Sequence, residues 1–328
     1  MLYALLTNAL AVPPPPIVNG TVTMDYPEVL LLSLQDGNDN ILGSCTGSLL
    51  NAEWVLTAAH CIDLEASGLS LHGILVSVAD GTDKVYTTLS AANWYAHPDY
   101  AGIGYSDVAL VELASPMADV RPMPLDPLGV SVADLGLDFR AIGFGVTGSS
   151  DPGTVLTKRI GDIELDRIDE RLIGLHDELT GQGLCSGDSG GPIVRVADDA
   201  TYAQVGVTNF GWLGTSCEDM TGFAARIDYF QPWIEGYARV YTPDEIEDGD
   251  WASDLRRSRA DDVPTGPRAD EIPDDPARPD VVGEDRASCA AVAGPSRISA
   301  LTTMLAAVLL QLSRRRQTQR ACPDFGRG

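Results

Sequence analysis

Positive charge is scarce in this chain: 22 lysines and arginines stand against 47 aspartates and glutamates in 328 residues, a formal net charge of −25. A nucleic acid or an anionic lipid surface would repel such a molecule as a whole, so neither is expected as a partner. Histidine is rarer still. His60, His72, His97 and His176 are the only four, which leaves few candidates for any step that needs a base near neutral pH. The six cysteines form no CxxC and no Cys/His spacing of a zinc site, so no metal is called for. Four of them, Cys45, Cys61, Cys185 and Cys217, fall within the region that reads as globular. Two disulfides in an oxidising compartment is the reading, with four buried free thiols as its alternative. Uninterrupted apolar runs of the roughly 20 residues that a spanning helix needs are also missing.

What is present divides the chain in four. Residues 1–16 read as a short leader or propeptide: an apolar stretch with Ala9-Leu10-Ala11 suits signal peptidase, although it lacks a positively charged start, and Pro13 to Pro16 can only be extended. Residues 17–238 carry short apolar or alternating runs such as Val29-Leu30-Leu31-Leu32 and Gly73-Ile74-Leu75-Val76, punctuated by Gly, Asp and Asn clusters. That pattern is many strands joined by turns, an all-β domain of ample length for a sizeable core. One late helix is expected at residues 227–237, with Asp228 capping it and Tyr229, Trp233 and Tyr237 on one face. Residues 239–286, rich in Asp, Glu, Pro and Arg, read as a disordered linker. In residues 287–328, Cys289 and small residues precede an apolar run, 298–312, that ends at Arg314, Arg315 and Arg316. Attachment to a membrane is the expectation there, against a soluble amphipathic helix.

Chemistry concentrates in three strings. Gly187-Asp188-Ser189-Gly190-Gly191-Pro192 offers a serine on a backbone free to bend. A hydroxyl is a weak nucleophile until a base takes its proton, and the Gly187 and Ser189 amides are candidates for binding an oxyanion. Read alone the string could be a glycine-rich surface turn. Trp54-Val55-Leu56-Thr57-Ala58-Ala59-His60-Cys61 supplies a histidine where a strand ends. Asp107 heads the apolar run Val108-Ala109-Leu110-Val111, where a carboxylate is costly without a partner such as an imidazole. An esterase or lipase is expected to place its histidine after the serine, and none follows Ser189.

In the order His, Asp, Ser, these strings resemble the chymotrypsin/trypsin family of serine proteases. The resemblance continues in Ile17-Val18-Asn19-Gly20, His97-Pro98-Asp99-Tyr100, Arg121-Pro122-Met123-Pro124-Leu125, Gly143-Phe144-Gly145 and Gln231-Pro232-Trp233-Ile234. It implies two six-stranded antiparallel β-barrels with a C-terminal helix and an active site in the cleft between them. It also implies His60, Asp107 and Ser189 as triad, Cys45–Cys61 and Cys185–Cys217 as disulfides, and a freed Ile17 ammonium paired with Asp188. Gly183 would lie at the base of the pocket for the residue before the cut (P1), Leu184 would narrow it, and Gly211 and Gly222 would match its walls. With no acid at that base, a large apolar or aromatic side chain is favoured. The alternatives are a basic preference through Asp219 or Glu218, or an inactive homologue used as a binding module. A monomer acting on protein or peptide substrates, without a cofactor, completes the implication. The chain departs from the family in having Pro16 before Ile17, Asn209 in place of a serine and Phe210 in place of a tryptophan, and it lacks two common disulfides.

Overall fold

The computed structural model describes residues 17–79, 84–146, 157–176, 181–197, 201–212, 217 and 221–257. After the two-residue strand β1 (Thr21–Val22), the chain forms β2 (Val29–Gln35), β3 (Ile41–Asn51), β4 (Trp54–Thr57), the one-turn helix α1 (Ala59–Ile62), β5 (Gly73–Ala79), β6 (Val85–Ala96) and β7 (Ala109–Leu113). These six strands, β2 to β7, close into an antiparallel barrel in the order β2-β3-β4-β7-β6-β5. Then come β8 (Asp138–Gly143), β9 (Arg159–Ile168), β10 (Leu172–Leu175), β11 (Pro192–Val196), β12 (Tyr202–Trp212) and β13 (Thr221–Arg226). They run β9-β10-β13-β12-β11-β8, and the pairing of β8 with β9 closes a second six-stranded barrel, with β1 added beside β9.

Strand periodicity explains how the barrels meet. Successive side chains point to opposite faces, and the apolar run of β2 therefore feeds two cores. Leu30, Leu32 and Leu34 turn into the first barrel beside Leu49, Leu56 and Leu110. Val29 and Leu31 turn outward and pack with Met123, Ile142, Phe144 and Val194, which ties the first barrel to the second. Each fully buried leucine of this kind contributes about 1.5–3 kcal/mol relative to exposure. The second barrel is filled by Phe139, Ala141, Ile163, Leu165, Ile173, Ile193 and Val205.

The late helix is α2 (Ile227–Glu235), with Ile227, Phe230, Trp233 and Ile234 buried. Asp228 does not cap it. The residue at the cap is Arg226, and the Asp228 carboxylate is instead bound by the Arg226 guanidinium, whose Nε donates at 3.0 Å. A competing cation within two residues was the feature that the capping pattern ignored.

The start of the expected linker is also ordered. Two short helices, α3 (Pro243–Glu247) and α4 (Asp250–Arg257), follow α2, and Tyr241 and Ile246 are buried. At α3 the Thr242 hydroxyl accepts from the Glu245 amide while Glu245 Oε2 accepts from the Thr242 amide at 2.8 Å, a reciprocal cap with Pro243 opening the helix. The composition of forty-odd residues had hidden this local signal. Residues 258–328, including the rest of the expected linker and the apolar tail, lie outside the described residues, as does the leader. Among the described residues no helix is long and apolar enough to cross a membrane.

Candidate active site

His60 reaches the cleft because β4 ends in small residues and turns at once into α1. Asp107 lies just ahead of β7, fully buried. Its carboxylate takes two hydrogen bonds from one residue: the His60 backbone N–H donates to Oδ1 at 2.8 Å and the imidazole Nδ1 to Oδ2 at 2.8 Å. Because a carboxylate can only accept, Nδ1 carries the proton and Nε2 is left as the basic nitrogen. Ser106 before it is held at φ 44°, and Arg171 donates to its hydroxyl at 3.3 Å. Asn209 is buried behind the pair. With its amide nitrogen facing two carbonyls, it donates to Val207 O at 2.9 Å and to the backbone O of Asp107 at 3.1 Å, not to the carboxylate.

Ser189 stands on the loop that enters β11, and the first barrel holds that loop directly. The Thr46 amide donates to Ser189 O at 2.8 Å, and the Thr46 hydroxyl donates to Gly187 O at 2.8 Å. Thr46 Oγ1 also accepts from the Phe144 amide at 3.1 Å, and Thr57 Oγ1 donates to Thr46 O at 2.8 Å. Gly190 has φ 81° and sits against Thr57 and the Thr46 carbonyl, where any side chain would collide. The disulfide Cys45–Cys61 lies between the two halves: Cys61 Sγ is 3.7 Å from Ser189 O and 4.0 Å from His60 Nε2. No hydrogen bond joins Ser189 Oγ to His60 Nε2. The Gly187 and Ser189 amides have no acceptor among the described residues.

Asp188 is buried beside the serine. Its Oδ1 accepts from the Gly145 amide at 2.8 Å and its Oδ2 from the Cys185 amide at 2.9 Å. Burial pushes its carboxyl up to about 7, against the opposing pull of those two amides and of Arg159. Ile17 is fully buried at φ 33°, an uncommon backbone for a β-branched residue, and the Val18 amide donates to Gly183 O at 2.8 Å.

A second disulfide, Cys185–Cys217, joins the Ser189 loop to the segment before β13. Beside Ser189 lies a small cavity of about 10 Å³ lined by Leu184, Thr208, Asn209, Phe210 and Gly211. Leu184 fills much of the space next to it: a Cβ on Gly222 would lie 2.6 Å from Leu184 Cδ1. Phe210 is stacked on Phe223 with ring centroids 5.0 Å apart. Gly183 could not carry a side chain without meeting Cys217 O at 2.9 Å. Asp219 and Glu218 lie outside the described residues.

A family model described as Trypsin matches residues 17–234. The chain belongs to the trypsin family. That membership makes it a serine-type endopeptidase, and both expected barrels and both expected disulfides are present. Among similar proteins, "CLIP domain-containing serine protease B14" of Anopheles gambiae is 27% identical over 264 residues, covering 66% of this chain and 70% of the relative. "Serine proteinase stubble" of Drosophila melanogaster is 26% identical over 220 residues, covering 60% of this chain but only 27% of that protein.

Other clusters offer less chemistry. Ligand atoms of Cys45, His60 and Cys61 lie within 4.8 Å of one another, but both sulfurs are committed to the disulfide and offer no thiolate to a metal. His97 packs between Phe230 and Trp233, and His72 lies over Gly37. Sequence reasoning missed Thr46, Thr57 and Arg159. A polar residue inside an otherwise buried strand next to a cysteine was the available signal for Thr46.

Proposed function

We propose that this trypsin-family enzyme hydrolyses peptide bonds through His60, Asp107 and Ser189. His60 Nε2 takes the Ser189 hydroxyl proton as Oγ bonds to the scissile carbonyl carbon. The resulting oxyanion is met by the Gly187 and Ser189 amides. Collapse breaks the C–N bond, the imidazolium gives its proton to the leaving amine, and an acyl-enzyme remains. Water then attacks the ester with His60 as base, releasing the acid and restoring the serine. Asp107 keeps the proton on Nδ1 and steadies the transient imidazolium. The observation that carries this reading is the buried Asp107 carboxylate gripping His60 at two points, opposite a serine loop with two uncommitted amides. A fluorophosphonate probe tests it: wild type should label and Ser189→Ala should not. Equal labelling of the two, or undiminished peptidase activity in His60→Ala, would overturn it. The two disulfides favour a secreted or extracellular location, where such bonds persist.

At the P1 pocket we propose an uncharged, apolar preference whose size limit is set by Leu184. A lysine or arginine would meet no acid at Gly183 and would be buried unpaired. The large aromatic residue expected from sequence meets a further obstacle in Leu184, whose Cδ1 lies 2.6 Å from where a Gly222 Cβ would be. An aromatic P1 therefore requires Leu184 to swing aside, and a small apolar P1 does not. A peptide library should show wild type favouring small aliphatic P1 residues and Leu184→Ala shifting toward Leu, Met and Phe. Dominant cleavage after Arg or Lys would instead support the basic alternative.

A further inference from the structure

Asp188 needs a countercharge, and the fold supplies one that the family resemblance does not call for. Along β9 burial alternates, with Gly161, Ile163 and Leu165 inward and Asp162, Glu164 and Asp166 outward. Arg159 falls on the inward set and is 8% exposed. In the antiparallel ladder it stands directly opposite Gly143 of β8. Residues so opposed project on the same face with Cβ positions about 5 Å apart. The space where a Gly143 side chain would lie is occupied by the Asp188 carboxylate, and a Cβ on Gly145 would be 2.5 Å from the same group. The Arg159 side chain therefore starts from the face on which the carboxylate is lodged; its Nη1 donates to Thr157 O at 3.2 Å, and its charge favours the ionised form of Asp188. The two form no direct ion pair within 4 Å; the coupling acts through space inside the barrel end, where screening by water is weak. Meanwhile Ile17, preceded in the sequence by Pro16, is already buried, and Val18 is bonded to Gly183.

We infer that Arg159 is a built-in countercharge for Asp188 that holds the Gly187–Ser189 loop in its working shape before Ile17 is freed, so that the uncut chain is already competent. Arg159 is in this role a positioning residue, acting through Asp188, and the inference rests on the serine chemistry proposed above.

The test uses full-length chain whose intact mass retains the residues before Ile17, and a second preparation in which residues 1–16 are replaced by a carrier removed by a sequence-specific protease to leave Ile17 first. Fluorophosphonate labelling is measured in both forms. Uncut wild type should label, uncut Arg159→Met about tenfold or more slowly, and uncut Arg159→Lys close to wild type. A free Ile17 ammonium should restore Arg159→Met to within about threefold of wild type, because a second cation then meets Asp188. A merely structural arginine would not be rescued this way. The inference is overturned if uncut wild type fails to label while the Ile17-first form labels, if Arg159→Met labels like wild type when uncut, or if it stays slow in both forms. Failure of wild type in both forms would instead overturn the serine mechanism itself.

Discussion

The first barrel delivers His60 and Asp107 from inside a continuous apolar core, whereas the second delivers Ser189 from a loop wrapped around a buried carboxylate. Asp107 is satisfied by two hydrogen bonds from one residue and is closed in by Val108, Ala109 and Leu110. Asp188 has two backbone amides and a guanidinium that acts only at a distance. Packing thus sets His60 and Asp107, while electrostatics bears on the Ser189 loop. The contrast predicts that perturbing the first half costs chemistry outright, whereas perturbing the second half changes it with pH and with the state of the N-terminus.

The largest expected effect is on the first half. Asp107→Asn keeps the shape but can donate toward His60, which favours the wrong tautomer; kcat should fall by about 10⁴-fold with KM little changed. Asn209→Ala, which removes donors to the Asp107 and Val207 carbonyls only, should cost far less. Equal losses in both variants would mean that the backbone of Asp107, not its carboxylate, is what matters.

The disulfides sharpen the comparison next. Their closed loops span 16 and 32 residues, so on the chain-entropy view removing Cys45–Cys61 as a double alanine should cost about 3 kcal/mol and removing Cys185–Cys217 slightly more. Urea midpoints should therefore be similar. Labelling by a fluorophosphonate should not be, because the first bond lies against both His60 Nε2 and Ser189 O while the second borders the small cavity beside Ser189, proposed above to take P1. Loss of the first should slow labelling for every probe. Loss of the second should change the ranking among P1 side chains.

These asymmetries also explain what the sequence made legible. His60, Asp107 and Ser189 each sit in a contiguous string that suggests the chemistry proposed here, and apolar or alternating runs over β2, β5 and β12 announce the barrels. Thr57 and Arg159 have no local mark, and Thr46, marked only as a polar residue beside Cys45 in a buried strand, acts on Gly187 far away in the chain. Asp228 was misread as a cap because Arg226 competes for it, and the capping box at Thr242 was averaged away in an acidic stretch. Leu184 was readable as a narrowing residue, but how little room it leaves beside Phe210 required the packed structure.

A pH-dependent effect belongs to the second half. Asp188 rises from 3.8 to about 7 on folding because burial disfavours its charge. A carboxyl raised in this way contributes stability that is fully present below pH 3.8 and is lost as pH rises toward 7, a change of up to about 4 kcal/mol for one buried group. Glu28 is raised for the same first reason and adds with the same sign, although its bond from Tyr202 opposes the rise. Urea midpoints of the uncut wild type, corrected for the Glu28→Gln variant, should therefore fall between pH 4 and 7, and Asp188→Asn should flatten that slope. A free Ile17 ammonium should flatten it too, by lowering the carboxyl. If the slope is unchanged in Asp188→Asn, the under-compensated carboxylate is not a feature of the second half, and the contrast between the barrels fails.

The smallest effect concerns the segment that spans both halves and should favour neither. Asn51 of the first barrel donates to Arg239 O at 2.9 Å, the Leu125 amide in the connection between the barrels donates to Tyr241 O at 2.8 Å, and Thr201 beside β12 donates to Glu247 at 3.1 Å. This path beyond α2 is fixed by the Thr242–Glu245 cap and by the burial of Tyr241 and Ile246. Loss of a capping hydroxyl costs about 1 kcal/mol, so Thr242→Ala should lower the global urea midpoint by that amount. Its ties reach both barrels, so the loss should appear in one cooperative transition, with fluorophosphonate labelling in native buffer unchanged. A cap serving only a local, independently fraying helix would leave the global midpoint where it is and raise amide exchange in residues 243–247 alone. A drop in labelling without a drop in midpoint would assign the segment to the second barrel's loop, and the division of labour between the barrels would then have to include it.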